Sequence, residues 1–321
     1  MKTLLTSIAL AVLLAPSMAV GQAYPTKAIR VVVPFAPGGT SDIIGRTLGQ
    51  KLSEAWKQPV IMDNRAGVAG SLGAAIAAKA PPDGYTLLVG NVGPVAINGQ
   101  IYKSVGYDSL KDFTPITLAV TAPQIVVVHP SVPAKTFKEF NALVRKQKGN
   151  ITYGSSGPGS ISHLSAELYK RMTKTDMLHV PFKASAFITT ALLGGEIDVV
   201  FSDMAVVLPH VQAGRLRALA VTGSKPTPLV PGLPTVTDSG VPGFVMTSWW
   251  GMFGPAGVPQ PIVTQLNTEL TRILRTADVQ KTFATLGVDA ATSTPEELGA
   301  LVKSEVPKYA KLIQEIGIEK Q

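Results

Sequence analysis

The 321-residue chain contains no cysteine. That excludes disulfides, thiolate chemistry and a lipidated N-terminal cysteine, so a large core must supply the stability. Histidine is scarce as well: His129, His163, His179 and His210 are all there are, none in H-E-x-x-H spacing, and no metal or cofactor is expected. Gly38-Gly39 fits neither G-x-G-x-x-G nor a Walker A loop. Gly154-Ser155-Ser156-Gly157-Pro158 fails the G-x-S-x-G nucleophile elbow, because Pro158 stands where glycine is required. Although the net charge is +8, the basic residues are scattered and no cluster is longer than the one around Lys146-Gln147-Lys148. A nucleic-acid binder would gather them on one face. A diffuse positive field instead raises the encounter rate with small anions.

There is no long apolar run either. The stretch from Leu4 to Ala15 is too short to span a bilayer comfortably. Preceded by Lys2 and followed by Pro16-Ser17-Met18-Ala19-Val20-Gly21-Gln22-Ala23, it reads as a secretory signal peptide, residues 1–23. Cleavage is expected after Ala23 or after Ala19. Ala23 is preferred, because Tyr24-Pro25-Thr26-Lys27 leads directly into the first strand. The exported chain is therefore expected to be soluble, and its length suits two domains.

The first organising stretch is Val31-Val32-Val33-Pro34-Phe35-Ala36-Pro37-Gly38-Gly39-Thr40-Ser41-Asp42. A β-branched run predicts a buried strand, and Thr40, Ser41 and Asp42 are candidate N-caps of a helix with Ile44, Leu48, Leu52 and Ala55 inward. Strand 59–62, helix 72–79 and strand 85–89 complete a βαβαβ unit, the pattern of a parallel sheet. Residues 101–115 read as a loop with a short helix. Ile116–Val120 and Ile125–His129 read as two strands, and Phe137–Gln147 as a helix. A second alternating unit begins at Ile151, with strands 177–182, 197–201 and 216–221 and helices 187–193 and 204–212. The proline-rich stretch Pro226–Pro234 must be irregular. A strand at Trp249–Gly254 and two helices, 260–275 and 296–315, close the chain. The expected fold class is α/β with two domains: residues 24–122 plus 223–321 form the first and 123–222 the second. They meet at a cleft and are joined by crossover strands, one within Ile125–His129 and one within 216–254.

Two glycine loops, 38–42 and 154–160, each follow a strand and open a helix. Small residues there leave backbone N–H groups uncovered at the positive end of a helix dipole, which suits an anion. Thr40, Ser155, Ser156 and Ser160 offer hydroxyls, and Gly38, Gly39 and Gly159 offer amides. Helix capping is an equally good role for the serines. A micromolar ligand needs about 8 kcal/mol. One helix terminus supplies roughly 0.3–1 kcal/mol and at most about 2. Charge-assisted hydrogen bonds add roughly 1.5–3 kcal/mol each, so several donors must converge. Asn91, ending the third strand, shares an edge with the first loop. His163 sits in the first turn after the second loop. Asp203 either meets ligand or water, or caps helix 204–212. Trp249-Trp250 is read as core.

The motifs Pro34–Arg46, Asn64-Arg65-Ala66-Gly67, Pro82-Asp83-Gly84-Tyr85, Tyr153–Ser160 with His163-Leu164, His179-Val180-Pro181-Phe182-Lys183, Leu193–Asp198 and Leu216–Val221 resemble the Bug family, extracytoplasmic receptors of tripartite tricarboxylate transporters. The resemblance covers the whole chain after the signal peptide. It implies a type II periplasmic binding-protein fold that closes over a small carboxylate, a di- or tricarboxylate or an aromatic acid. The loops matched by 35–42 (Phe35, Pro37, Asp42) and 155–160 hold the carboxylate, partly through waters. Lys183 and Ser185 flank the far end of the ligand. There Ala184-Ser185-Ala186-Phe187 replaces the family's usual glycines, which puts Phe187 where it would alter pocket shape. The implied partners are the membrane permease subunits, with the receptor itself a monomer. Two rival readings are a receptor that presents its ligand to a membrane sensor and a secreted hydrolase using Ser160 and His163.

Overall fold

The computed structural model describes residues 24–183, 185–228 and 230–320, Ser185 by its backbone alone. The expected signal peptide lies outside them. Strand β1 (Ile29–Val33) runs parallel to β2 (Val60–Asn64) on one side and β3 (Thr86–Asn91) on the other. Helix α1 (Thr40–Trp56) joins the first pair, and α2 (Ser71–Ala78) leads on to β3. Alternation along β1 sorts the two faces. Val31 and Val33 pack with Ile44, Leu48 and Leu52 of α1, whereas Val32 packs with Ala74 and Ala77 of α2. Coverage on both faces is why the strand tolerates no polar residue at its centre. Ala55, expected on the inner stripe of α1, is exposed instead.

After β3 the chain makes a π-helical turn (Gly93–Ile97) that runs into α3 (Asn98–Ile101). The short helix expected within 101–115 therefore lies just before that segment. Strand β4 (Phe113–Val128) is one 16-residue strand where two were expected. The apparent break at Pro123 is the point where the strand changes partners. Residues up to Pro123 pair antiparallel with β9 (Thr247–Pro255), while Gln124–Val128 pair with β7 (Val199–Asp203).

The second half of the sheet repeats the first. Helix α4 (Phe137–Gln147) precedes β5 (Thr152–Ser155), which lies parallel between β6 (Leu178–Pro181) and β7. Helices α5 (Ile161–Thr173) and α6 (Ser185–Leu193) make the connections, and α7 (Met204–Gln212) leads to β8 (Arg217–Val221), which pairs with β4. So the order β2-β1-β3 is matched by β6-β5-β7. The irregular segment 222–246 leans on this half: Val236 N–H donates to Val221 O at 2.9 Å, and the Phe244 ring lies 6.0 Å from that of Phe201. The chain then returns through β9. Helices α8 (Gln260–Leu274), α9 (Ala277–Thr285) and α10 (Pro295–Ile316) follow, with a two-residue strand β10 (Asp289–Ala290) on β4. Helix α9 was not expected; it buries only Val279 and Phe283, too few anchors to show a periodicity.

Candidate functional site

In a sheet ordered 2-1-3, successive connections leave the central strand in opposite directions, opening a crevice at the strands' C-terminal ends. This chain has two such crevices, one after β1 and β3 and one after β5 and β7. They face each other across one cavity of about 30 Å³. Phe35, Gly39, Thr40, Ser41, Asn91 and Gly93 line it from the first half. Ser156, Ser160, Ser162, Ser202 and Asp203 line it from the second, with Gln124 contributed by the crossover strand.

The start of α1 differs from expectation. Its N-cap is Gly39, and Thr40, Ser41 and Asp42 form the first turn. Asp42 folds back on the loop: its Oδ2 accepts from Gly38 N–H and from Arg46 Nε, each at 2.9 Å, and its Oδ1 accepts from Asn64 Nδ2 at 2.9 Å. Two expectations are corrected by this. The Gly38 amide is used inside the turn, and Asp42 braces the loop instead of lining the cavity. Burial opposes its charge, but Arg46, Gly38 and Asn64 outweigh that and hold the carboxyl below the usual carboxylate range. What remains for a ligand is the N–H groups of Thr40 and Ser41, since that of Asp42 already donates to Gly39 O at 3.0 Å. Ser41 Oγ accepts from the indole N–H of Trp250 at 3.1 Å, tying β9 to this helix start.

In the second loop Ser160 is the N-cap of α5. Its Oγ accepts from His163 N–H at 3.2 Å and donates to Gly157 O at 2.7 Å, so capping and lining fall to one serine. Ser156 lines the cavity, but Ser155 lies fully buried behind it, with its hydroxyl 2.5 Å from His179 Nε2. Gly159, at φ +85°, abuts Asn98 of the first half. His163 is also behind the wall. Its ring lies 4.5 Å from that of His179 and 6.5 Å from Tyr153, and burial, helped by His179, pushes its pKa down to about 4. The hydroxyl of Ser160 meets no imidazole, which removes the geometry a Ser160–His163 hydrolase would need.

Other expected residues sit outside the wall. Pro37 and Lys183 are exposed, and Phe187, 49% exposed, leaves its neighbour Ile188 to line the cavity. Ser185 opens α6. Asp203 holds the N-cap position of α7, yet its side chain caps nothing. Its Oδ1 instead accepts from Ser248 Oγ of β9 at 3.0 Å, a bond across the two halves. Burial pushes its pKa up to about 6 against the pull of Ser248 and Thr40. The side-chain amide oxygen of Asn91, Oδ1, makes no hydrogen bond. Sequence reasoning missed Ser41, Gly93, Ser162, Ser202 and Gln124. The last left a signal: Gln124 is a lone polar residue ahead of the apolar run 125–128, and it is fully buried, donating to Phe201 O at 3.1 Å and accepting from Ser165. Among the described residues the polar part of the wall carries hydroxyls, amides and one carboxyl, and no Lys, Arg or His.

The sequence pattern of the tripartite tricarboxylate transporter family receptors matches residues 44–318. The chain belongs to this receptor family. Among solved structures, the receptor is similar to R. palustris Rpa4515 with adipate, at 34% identity and a TM-score of 0.90, over 93% of this chain and 100% of the other. The periplasmic binding protein BugD is 32% identical at a TM-score of 0.89, over 93% and 100%. MatC from Rhodopseudomonas palustris with bound malate is 32% identical at 0.85, over 90% and 100%. The receptor thus has the α/β fold of periplasmic binding proteins that its sequence resemblance implied. Among the described residues no helix is long and apolar enough to cross a membrane.

Proposed function

We propose that the receptor captures a small organic carboxylate between two lobes in the periplasm and delivers it to the membrane subunits of a tripartite transporter. The observation that carries this is the cavity itself, where two helix starts and a ring of hydroxyls and amides converge with no fixed cation. Relatives of the same fold hold adipate and malate. A cavity of about 30 Å³ accommodates roughly two water-sized groups. Entry of a ligand of adipate's size through so narrow a cavity requires the lobes to separate first and then to close around it. The first lobe comprises residues 24–122 and 247–321. The second comprises 123–222 and carries 223–246 on its flank, so the hinge falls at Pro123–Gln124 and Met246–Thr247. The receptor acts as a monomer and without catalysis, after removal of residues 1–23.

Thermal-shift screening followed by calorimetry, over mono-, di- and tricarboxylates, aromatic acids and a neutral diamide, tests the reading. Stabilisation by at least one carboxylate and none by the diamide is expected. Response to the diamide alone would overturn it.

A further inference from the structure

Among the described residues, Asp203 is the one ionisable side chain on the cavity wall. It sits at the end of β7, inside the second crevice, and reaches across to Ser248 of the first lobe. The surroundings offer no charge to balance it. Strands β4 and β9 contain no charged residue, and β7 contains none besides Asp203 itself. On α1 the nearest charged groups, Asp42 and Arg46, are paired with each other. On α7 the only candidate is His210, near the far end, hydrogen-bonded to Arg215. Helix α6 has no charged residue, and the second loop, 154–160, has none either. The groups that do act on Asp203 are the hydroxyls of Ser248 and Thr40.

A ligand carboxylate entering this cavity meets either a repelling carboxylate or a neutral acid whose O–H can donate to it. We propose that the receptor binds its carboxylate with Asp203 neutral, so that capture takes up one proton and the same side chain excludes anions when ionised. The proposal rests on the carboxylate reading above. Burial already prepares Asp203 for this by holding its proton affinity well above that of a solvated aspartate. Ionised, it would select the opposite ligand, one presenting a hydroxyl or ammonium donor and binding more tightly as pH rises.

The test is calorimetry with adipate, and then malate, at several pH values from 6.5 to 8.5, where these ligands are ionised. Titrations in HEPES and in Tris at one pH count the protons exchanged. The expected result is net uptake approaching one proton and an affinity falling up to tenfold per pH unit. In Asp203→Asn, whose amide oxygen can still accept from Ser248 and whose N–H can donate, affinity should be flat across the range and exceed that of the unaltered protein at pH 8.5 at least tenfold. Binding with no proton uptake and a flat pH profile, or affinity rising with pH, would overturn the proposal while leaving carboxylate capture standing. No binding of any carboxylate at any pH would overturn both. Proton counting on the unaltered protein decides the matter even if the variant folds poorly.

Discussion

Gly157 and Gly159 occupy the same loop, both in left-handed backbone, at φ +97° and +85°. Alanine at either position costs about 1–2 kcal/mol for that conformation alone. The difference lies across the cleft. A Cβ on Gly157 would meet nothing closer than 3.9 Å, whereas one on Gly159 would lie 2.8 Å from Asn98 Oδ1 and 3.4 Å from the Tyr102 ring. Asn98 cannot swing away: it is fully buried, and its Nδ2 donates to Ala69 O at 3.0 Å and to Ser71 Oγ at 2.8 Å. Overpacking against such a fixed neighbour costs about 1–3 kcal/mol, and it is felt only when the lobes meet. Gly157→Ala and Gly159→Ala should therefore lose similar stability in urea melts of the unliganded protein. Only Gly159→Ala should lose affinity, roughly 5- to 150-fold by calorimetry with whichever carboxylate binds in the screen. Equal losses of affinity in the two variants, or none in Gly159→Ala, would refute the claim that this loop closes against Asn98.

Three further outcomes follow from the buried acids and bases. His163, held at about pH 4 instead of 6.5, stays neutral where the unfolded chain takes up a proton, so its effect is a loss of stability as pH falls from 6.5 towards 4. Asp203, held at about 6 instead of 3.8, has the opposite sign: its contribution is present at low pH and disappears as pH rises through 6. Unfolding free energies from urea melts of Asp203→Asn and the unaltered protein, compared between pH 4 and 6, should diverge by about 1.4 kcal/mol per pH unit, with the variant showing the steeper rise. Asp42→Ala removes the acceptor for Gly38, Arg46 and Asn64 and should destabilise the fold by about 2 kcal/mol in the same assay. Proton uptake on ligand binding should be unchanged in that variant, because Asp42 does not face the cavity.

Where local pattern and long-range packing agree, the elements are readable from sequence. Helix α4 matches its expected bounds because Thr136 caps it and Phe137, Phe140 and Val144 fall on one face. Strand β4 reads from sequence as two strands, Ile116–Val120 and Ile125–His129, although the residues between them merely carry a change of partner strand at Pro123. The site divides in the same way. Glycine and serine at a helix start mark a candidate anion-binding edge, but not which amides stay free, since that depends on where a side chain turns.

The two acids near those helix starts make the point most clearly. Asp42 has Arg46 four residues on, a spacing that places the pair on one helix face, and the structure joins them at 2.9 Å. Asp203 sits in Val199-Val200-Phe201-Ser202-Asp203-Met204-Ala205-Val206-Val207, with no cation within four residues on either side. The contrast between a satisfied carboxylate and an unbalanced one was thus present in the local sequence. Only the facing crevice, supplied by a strand order that repeats after more than a hundred residues, turns the unbalanced one into part of a cavity wall.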